Sequence, residues 1–360
     1  MANRESSLVS ETCATEAVTA NLAPNADARH EAGARRLALR SAAEIDATHK
    51  GIVVEQNKRR AIQSFVVFIA CLWLVVARGE TATVSVNCDA SGTISGALSS
   101  LKPGDVVAVH GTCSENVLIQ PEVQRITLDG QGKATINGPS ATQPTVLVIG
   151  REVTIKGFTI TGGQFGISVN RGGTVVIDRN TIHSTGNDAI VVAQNAFAHI
   201  VNNTIRDNPR FGIVVLGSSS ARIGFVTDLD PAPSPNTIQN NGDGIAVIRS
   251  SNAHIVGNTI SGNKRNGVMV LHASHAALAG NTLNENGQHG IRVVGNSGVN
   301  LGADTGTRMV DLPNATTTNN GGFGIRCEVG GFADGRLGSL NGGSGAKDFA
   351  DTGCIDSLSP

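Results

Sequence analysis

A short unit recurs three times between residues 237 and 294 of the chain. Its copies begin at Thr237, Thr259 and Thr282, so the spacing is 22 and then 23 residues. Each copy contains an apolar pair, a polar turn that ends in Gly, and a segment rich in β-forming residues. A fixed period of this length predicts a repeat architecture.

Three apolar columns extend this repeat in both directions. Each short segment alternates apolar with polar residues, which is the pattern of a half-buried strand. Gly and Asn recur inside every unit, so helical heptads are excluded. The first column contains Ile167, Ile190, Ile213, Ile245, Val268, Ile291 and Ile325; the second contains Ile177, Ile200, Ile223, Ile255, Leu278 and Leu301; the third is a Thr followed by Ile or Leu at 159, 181, 204, 237, 259 and 282.

Three strands in each repeat predict one coil of a parallel β-solenoid. We therefore expect an all-β fold: a single right-handed parallel β-helix with three strands per coil and about ten coils. Near its start, residues 93–101 place Ile94, Ala97 and Leu98 at helical spacing, and Pro103-Gly104 follows. This pattern predicts a short N-terminal capping helix.

Asparagines recur at two turn positions of successive coils. Asn180, Asn203, Asn258 and Asn281 form one turn column, and Asn208, Asn263 and Asn286 form another. Because equal positions stack about 4.8 Å apart, such side chains can bond to the coils above and below, and we interpret them as structural ladders.

Two insertions (225–235 and 304–313) each follow an Ile/Leu-Gly pair, so both should leave the same turn on the same side.

The composition limits the function. The formal net charge is −1, so the sequence lacks the basic footprint of a nucleic-acid-binding protein. Tyr is absent and the single Trp, Trp73, precedes the repeats, which removes the aromatic residues that commonly stack on neutral sugars.

The start of the chain suggests export. Residues 1–60 are polar, and we interpret them as a disordered or untranslated preface. A basic group at 58–60 precedes an apolar run, so 61–77 is predicted to be a signal peptide, with 78–360 as the mature β-helix domain. The alternative is an uncleaved membrane anchor over the same residues. The predicted location is secreted or periplasmic in the first case and membrane-anchored in the second.

Cysteine positions agree with an exported protein. Cys88 and Cys113 lie before the regular repeats, whereas Cys327 and Cys354 lie after them. Four cysteines allow three pairings, and we favour one disulfide at each end, Cys88–Cys113 and Cys327–Cys354. Disulfides persist outside the reducing cytosol. No Cys-x-x-Cys spacing supports a zinc site, and no metal or other cofactor is expected.

The segment from Gly257, with the sequence Gly-Asn-Thr-Ile-Ser-Gly-Asn-Lys-Arg-Asn-Gly-Val, resembles the right-handed parallel β-helix repeat of the pectate-lyase-like superfamily. The start of the chain, from Ile94 to Val117, resembles the capping helix and first coil of those proteins. The resemblance extends over roughly residues 84–340 and implies the fold. Members include lyases, hydrolases, epimerases and proteins without known activity, so it does not imply one reaction.

In polysaccharide-cleaving members, the substrate lies along the sheet of Gly-Ile-x-Val strands. The resemblance therefore directs attention to the column that starts those strands, which we expect to be outward-facing. Asp243, His289 and Arg292 are the candidate catalytic residues, and Asn266, Arg265 and Asp188 are the candidate substrate-binding residues. A carboxylate and an imidazole could share proton transfer while arginines neutralise a sugar acid. The alternative is that Asp and Asn before Gly simply form tight turns.

Two functions remain open from the sequence. The first is an exported protein that binds or processes an acidic polysaccharide of the cell envelope or its surroundings; if it is an enzyme, it would be a lyase, a glycoside hydrolase or an epimerase. The second is a non-enzymatic surface, scaffold or adhesion protein that displays its repeat loops. The paired aspartates of pectin hydrolases are missing, since Ile182-His183 and Asp188-Ala189 stand in their place.

Overall fold

The computed structural model describes residues 81–303, 305–309, 311–350 and 353–360. The preface (1–60) and the leader (61–77) lie outside these residues. Within them the chain forms three sheets, here named A, B and C, and every strand pairing between neighbouring coils is parallel. This is the predicted all-β solenoid with three strands per coil.

The strands of each sheet come from successive coils. Sheet A contains Thr83–Asn87, Val106–His110, Thr127–Asp129, Val153–Lys156, Thr174–Asp178, Phe197–Val201, Ser220–Ile223, Asn252–Val256, His275–Ala279, Gly298–Leu301, Phe332–Arg336 and Ile355–Ser359. Sheet B contains Thr112–Ser114, Thr135–Gly138, Thr159–Gly162, Thr181–His183, Thr204–Arg206, Thr237–Gln239, Thr259–Ser261 and Thr282–Asn284. Sheet C contains Val117–Ile119, Val146–Val148, Ile167–Val169, Ile190–Ala193, Phe211–Leu216, Asp243–Ile248, Val268–Leu271, Ile291–Val294, Phe323–Glu328 and Gly345–Asp348.

The register of sheet C confirms the repeat spacing. Ile245 pairs with Val268, and Val268 pairs with Ile291. Sheet A has twelve strands, so the solenoid is longer than the expected ten coils. Thr83–Asn87 extends it at one end and Ile355–Ser359 at the other, because both segments pair in register although they lie outside the regular repeat.

One long apolar core fills the solenoid. Val268 and its neighbours in the first apolar column are fully buried, whereas Met269, the next residue, is only half-buried. This difference is expected because successive side chains of a strand point to opposite faces. A second, smaller apolar cluster lies on the other face of sheet C and includes Val191, Val214 and Ala246.

Both asparagine columns are ladders, as the sequence predicts. Asn263 is typical: its Oδ1 accepts from the backbone N–H of Asn241 (3.0 Å), and its Nδ2 donates to Oδ1 of Asn286 (2.9 Å). The structure adds members to each column, so that the full ladders are Asn180, Asn203, Asn236, Asn258, Asn281 and Asn314, and Asn208, Asn241, Asn263, Asn286 and Asn320. All of these side chains are buried, so the ladders satisfy the backbone of the inner turns.

The turn from sheet C to sheet A repeats one unusual conformation. His272 and Ala273 both have left-handed backbones, with φ values of 59° and 57°. The equivalent pairs on other coils, also at positive φ, are Gln194-Asn195, Gly217-Ser218, Arg249-Ser250 and Gly295-Asn296. Two consecutive left-handed residues reverse the chain tightly, although most residues other than Gly adopt this conformation at some cost.

The N-terminal end is closed by a short helix, Ile94–Leu98, which is shorter than the helical spacing predicted. The carboxylate of Glu115 accepts hydrogen bonds from the backbone N–H groups of Ile94 (2.7 Å) and Ser95 (3.0 Å), so it caps the helix. A 3₁₀ turn, Cys88–Ala90, precedes the helix. Both predicted disulfides, Cys88–Cys113 and Cys327–Cys354, are confirmed.

The two insertions meet on the side of sheet A. The backbone N–H of Arg308 donates to the carbonyl of Asp228 (2.9 Å), and the His254 ring bonds the carbonyl of Thr305 (2.8 Å). They therefore leave the same side of the solenoid, as predicted, and the contacts they make are with outward residues of sheet A. In the part of the chain that the structure describes, no helix is long and apolar enough to span a membrane.

Candidate functional site

The candidate residues at the start of the sheet C strands form a continuous column. Its members on successive coils are Asp188, Phe211, Asp243, Asn266, His289 and Phe323. The side chains of Asp188, Asp243, Asn266 and His289 each accept a hydrogen bond from the backbone N–H one coil further on, at 3.1, 2.9, 3.4 and 3.0 Å respectively. The column therefore caps backbone amides, in addition to any role towards a ligand.

Three of these side chains are not accessible, although the sequence predicts an outward-facing column. Asp188, Asp243 and Asn266 are each exposed by 2% or less. The expectation was wrong for a geometric reason: the residues lie at the corner between the turn and the strand. Their side chains run along the solenoid axis towards the next coil, where the neighbouring turn covers them.

The Asp243 carboxylate is saturated by protein donors. Its Oδ2 accepts from Nε (2.8 Å) and Nη2 (2.5 Å) of Arg265, and its Oδ1 accepts from the backbone N–H and Nδ2 of Asn266, both at 2.9 Å. Such a carboxylate holds the half-exposed Arg265 side chain in place. No lone pair is left facing solvent through which this carboxyl could exchange a proton with a ligand.

Asp188 has fewer partners. It caps Phe211, and its nearest cation is Arg210, whose Nη1 lies 3.6 Å away while its guanidinium stacks 4.4 Å over the ring of Phe211. Burial raises the pKa of the Asp188 carboxyl, whereas the Phe211 amide and Arg210 act in the opposite direction. The site predicted as one cluster is thus divided between several coils.

An open cleft of about 400 Å³ lies at the C-terminal end of the column. It is lined by Gly287, Gln288, His289, Arg292, Gly321, Gly322 and Glu328. Of the six candidate residues, it contains two, His289 and Arg292. A Cβ at Gly287 or Gly321 would meet a carbonyl of the preceding coil, and a Cβ at Gly322 would meet the His289 ring, so glycine at these positions lets the adjacent turns stack closely.

Glu328 joins this cleft although the sequence analysis missed it. Its Oε2 accepts from Nε (3.0 Å) and Nη2 (2.6 Å) of Arg292, and its Oε1 lies 2.8 Å from Nε of Arg326. Arg292 and Arg326 are paired in register on adjacent coils, and Asp348 lies 3.6 Å from Arg326. The signal was present: Glu328 is two residues after Arg326 on the same strand, hence on the same face.

The two arginines keep unused donors. Among the described residues, Nη1 of Arg292 and both Nη atoms of Arg326 have no hydrogen-bond partner. Guanidinium edges of this kind match the two oxygens of a carboxylate. Glu328 contacts both arginines and Asp348 lies near Arg326, whereas Arg292 lines the cleft with its Nη1 unused and can accept a further anion there.

His289 occupies the opposite wall of the cleft. It is half-buried, its Nδ1 accepts from the backbone N–H of Phe323, and its ring lies parallel to the Phe323 ring with centroids 5.9 Å apart. Burial lowers the pKa of the His289 imidazole, and the guanidinium groups of Arg326 and Arg292 lower it further. The carboxylates of Glu328 and Asp348 partly oppose this shift.

Two family models match consecutive parts of the chain. Residues 105–229 match the model described as a right handed beta helix region, and residues 231–303 match the model described as a periplasmic copper-binding protein. The first match agrees with the coil geometry and with the right-handed parallel β-helix that the repeat sequence predicts. No curated protein matches the chain.

Solved structures with a similar fold include three carbohydrate-active proteins. A periplasmic alginate epimerase is 14% identical over 78% of this chain and 73% of its own, with a TM-score of 0.46. The A-module of a mannuronan C-5 epimerase from Azotobacter vinelandii is 15% identical over 77% and 85%, with a TM-score of 0.43. A pectate lyase is 13% identical over 76% and 80%, with a TM-score of 0.49. Likenesses this distant carry no information about chemistry.

A copper site does not fit the described residues. Among them, only Cys88, Cys113 and Glu115 form a group of three side chains close enough to share a metal ion. The two sulfurs are joined in a disulfide, and Glu115 caps the helix. A cysteine binds a metal ion as its thiolate, which a disulfide sulfur is not. No part of the function is therefore assigned to copper.

Proposed function

We propose that this protein binds an acidic polysaccharide, and that the cleft beside Arg292 is its binding site. One observation carries the proposal: Arg292, which pairs in register with Arg326 on the next coil, has an unused Nη1 and lines an open, glycine-lined cleft. A uronic acid residue offers a carboxylate for this donor. Its hydroxyls can exchange hydrogen bonds with Gln288, which is exposed and has both donor and acceptor atoms.

The same geometry favours binding over cleavage. The Asp243 carboxylate was the candidate acid, and all its hydrogen bonds are made within the protein. Glu328 lines the cleft, but its two carboxylate oxygens contact Arg292 and Arg326. A second carboxyl that could serve as its acid or base partner is not among the residues that line the cleft. General acid–base hydrolysis needs such a pair.

An extracytoplasmic location accompanies this function. Two disulfides close the ends of the solenoid, and such bonds persist in oxidising compartments. One matching family is described as periplasmic. The leader at 61–77 is proposed to direct export, either as a cleaved signal peptide or as an anchor. Polysaccharides of the cell envelope or its surroundings would then be within reach.

The proposal is tested by titrating the full-length protein with polygalacturonate and alginate, with dextran as a neutral control. Isothermal titration calorimetry should show binding of the acidic polymers, weakening as salt is added. Arg292→Met should reduce affinity about tenfold or more, since the carboxylate loses a charge-assisted partner. Arg249→Met is the matched control, because Arg249 is exposed and outside the cleft. Wild-type protein that binds no acidic polymer would disprove the proposal.

A role as a surface scaffold is a second candidate. The two insertions display Leu229 and Leu312, which are 64% and 57% exposed. Leu312 also borders a hollow of about 240 Å³ that includes Pro231, Pro233 and Met309. Exposed apolar side chains grouped around a hollow are typical of protein contacts. Leu229→Ser with Leu312→Ser should reduce adhesion to cells without changing polyuronate titrations, if this candidate is correct.

A further inference from the structure

We infer that His289 is a fixed hydrogen-bond donor that selects the ligand at the cleft, and that it does not act as a base. The inference rests on the proposed function, because it assigns the role of one residue in the same cleft. It changes the expected chemistry from proton transfer to recognition. The geometry of the ring in its column supports it.

The Nδ1 atom of His289 faces a backbone donor. The N–H of Phe323 points at it from 3.0 Å, so Nδ1 must present its lone pair. A neutral imidazole carries one proton, which must then be on Nε2. The other tautomer would bring two N–H groups face to face at this distance and leave both unsatisfied. The network therefore assigns an Nε2–H donor.

A general base needs the opposite arrangement. To accept a proton at Nε2, the ring must carry its proton on Nδ1, and this would break the bond to Phe323. The stacked contact with the Phe323 ring also holds the imidazole plane in place. Protonation of the neutral form at Nδ1 meets the same obstacle, so the doubly protonated ring has to leave its place in the column.

The charged groups around the ring act in the same direction. Arg292 is on the strand that follows His289, and Arg326 is on the next coil; both disfavour a cation at His289. Glu328 and Asp348 favour one, but Glu328 contacts both arginines and Asp348 lies near Arg326. Burial lowers the pKa of His289 most, and the two arginines lower it further. The ring is therefore neutral at neutral pH.

These features specify a ligand class. The ligand must place an anionic group on the unused edge of Arg292 and a hydrogen-bond acceptor on Nε2 of His289. A uronate unit provides both, with its carboxylate and an adjacent hydroxyl, ring or glycosidic oxygen. A neutral sugar lacks the first group. A simple inorganic anion lacks the separated second acceptor, so it should bind more weakly than a uronate oligomer.

Two substitutions separate the donor role from the capping role. Asn266, one coil earlier in the column, accepts the next backbone N–H with its Oδ1 and directs its Nδ2 back to Asp243. Asn in place of His289 should do the same: it keeps the bond to Phe323 and presents no donor to the cleft. Ala in place of His289 removes both functions.

For His289→Asn we expect polyuronate affinity to fall about tenfold while Tm stays close to that of the wild type. For His289→Ala we expect the same loss of affinity together with a Tm lower by several degrees, because the Phe323 amide loses its acceptor. Both Tm values are measured by differential scanning calorimetry on the full-length protein. If His289→Asn binds polyuronate as tightly as the wild type, the inference is wrong.

The tautomer is measured directly in the protein without ligand. Nitrogen-15 NMR of the histidine side chains, with His289→Asn to assign the signal, should show the proton on Nε2. A proton on Nδ1 would contradict the inference whether or not polyuronate binds. Failure of the wild type to bind any acidic polymer, with the Nε2–H tautomer observed, would disprove the proposed function and the ligand assignment while leaving the assigned tautomer intact.

Discussion

Two neighbouring columns of side chains precede the strands of sheet C. Both accept hydrogen bonds from backbone N–H groups of adjacent coils, but they use different residue types. The asparagine column, which includes Asn241, Asn263 and Asn286, uses one residue type on every coil. The column that starts the strands changes from Asp188 to Phe211, Asp243, Asn266 and then His289. Both cap backbone N–H groups of an adjacent coil, the asparagines those of the preceding coil and the second column those of the next, but only the second column reaches an open cleft.

The difference shows how a uniform scaffold can carry a local site. A single residue type repeated on each coil satisfies the backbone and leaves nothing for a ligand. The mixed column makes the backbone bond at Asp188, Asp243, Asn266 and His289 with a carboxylate, an amide or an imidazole. The remaining atoms of those groups then differ from coil to coil. At His289 the remaining atom is Nε2, and His289 lines the open cleft together with the glycines of two adjacent turns.

The strongest test removes one member of the uniform column. Asn263→Ala should destabilise the protein by roughly 3 kcal/mol, because it leaves the Asn241 backbone N–H and the Ile238 carbonyl buried without their partner. Denaturant unfolding measures this effect. Asn187→Ala is the control, since the Asn187 side chain makes no hydrogen bond within the described residues and should change stability little. Equal effects at the two positions would contradict the ladder.

A smaller effect is expected in the mixed column. Asp243→Asn retains an acceptor for the Asn266 amide but loses the charge that holds Arg265, and should cost about 1 kcal/mol. Asp243→Ala removes both and should cost roughly 2 kcal/mol. Neither change should alter polyuronate affinity by more than a small factor, since Asp243 does not line the cleft. If Asp243→Asn lowers polyuronate affinity and leaves stability unchanged, the Asp243 carboxyl belongs to the binding site.

The smallest effect concerns pH. The pKa of His289 is lowered in the folded protein from its ordinary value of 6.5, so the unfolded chain binds more protons in the window below that value. The contribution of His289 to the free energy of unfolding is therefore fully present above pH 6.5. It is lost as the pH falls towards the pKa that His289 has in the folded protein. His289→Asn should reduce this slope. Thermal unfolding between pH 5 and 8 measures it, and an unchanged slope would contradict the assigned environment of His289.

Other groups contribute to that pH profile with known signs. Burial lowers the pKa of His199 and of His183, so both add to the loss of stability in acid. Asp188 acts in the opposite sense, because burial raises its pKa above the ordinary 3.8 and the folded protein then binds more protons than the unfolded chain. Its contribution to the pH dependence of stability therefore has the opposite sign to that of the histidines.

Much of this architecture could be predicted from the sequence because the period repeats. Alternation alone places Val268 and Met269 on opposite faces, and the two disulfides follow from the placement of Cys88 and Cys354 at the ends. What alternation cannot show is a corner. Asp243 is the first residue of its strand, and its carboxylate bonds Arg265 and Asn266 of the next coil, so its burial depends on the neighbouring coil.

The cleft itself was predicted only in part. His289 and Arg292 lie within one repeat and could be grouped by counting. Glu328 and Gly322 belong to the next coil, after the second insertion has shifted the count, so the spacing from His289 to Phe323 is no longer that of one repeat. Only pairing of Arg292 with Arg326 in sheet C brings Glu328 to the site.

The left-handed turn between sheets C and A has a further consequence for how this molecule can change length. Because His272-Ala273 and its equivalents share one backbone path, the end of each coil is geometrically the same as the end of the next. A duplication or loss of one whole coil, cut at these turns, would rejoin without a new loop. Such an event would move the arginine pair along the solenoid axis by one strand spacing and leave the pair intact. The distance between a binding site and the ends of this scaffold can therefore change without a change in the site itself.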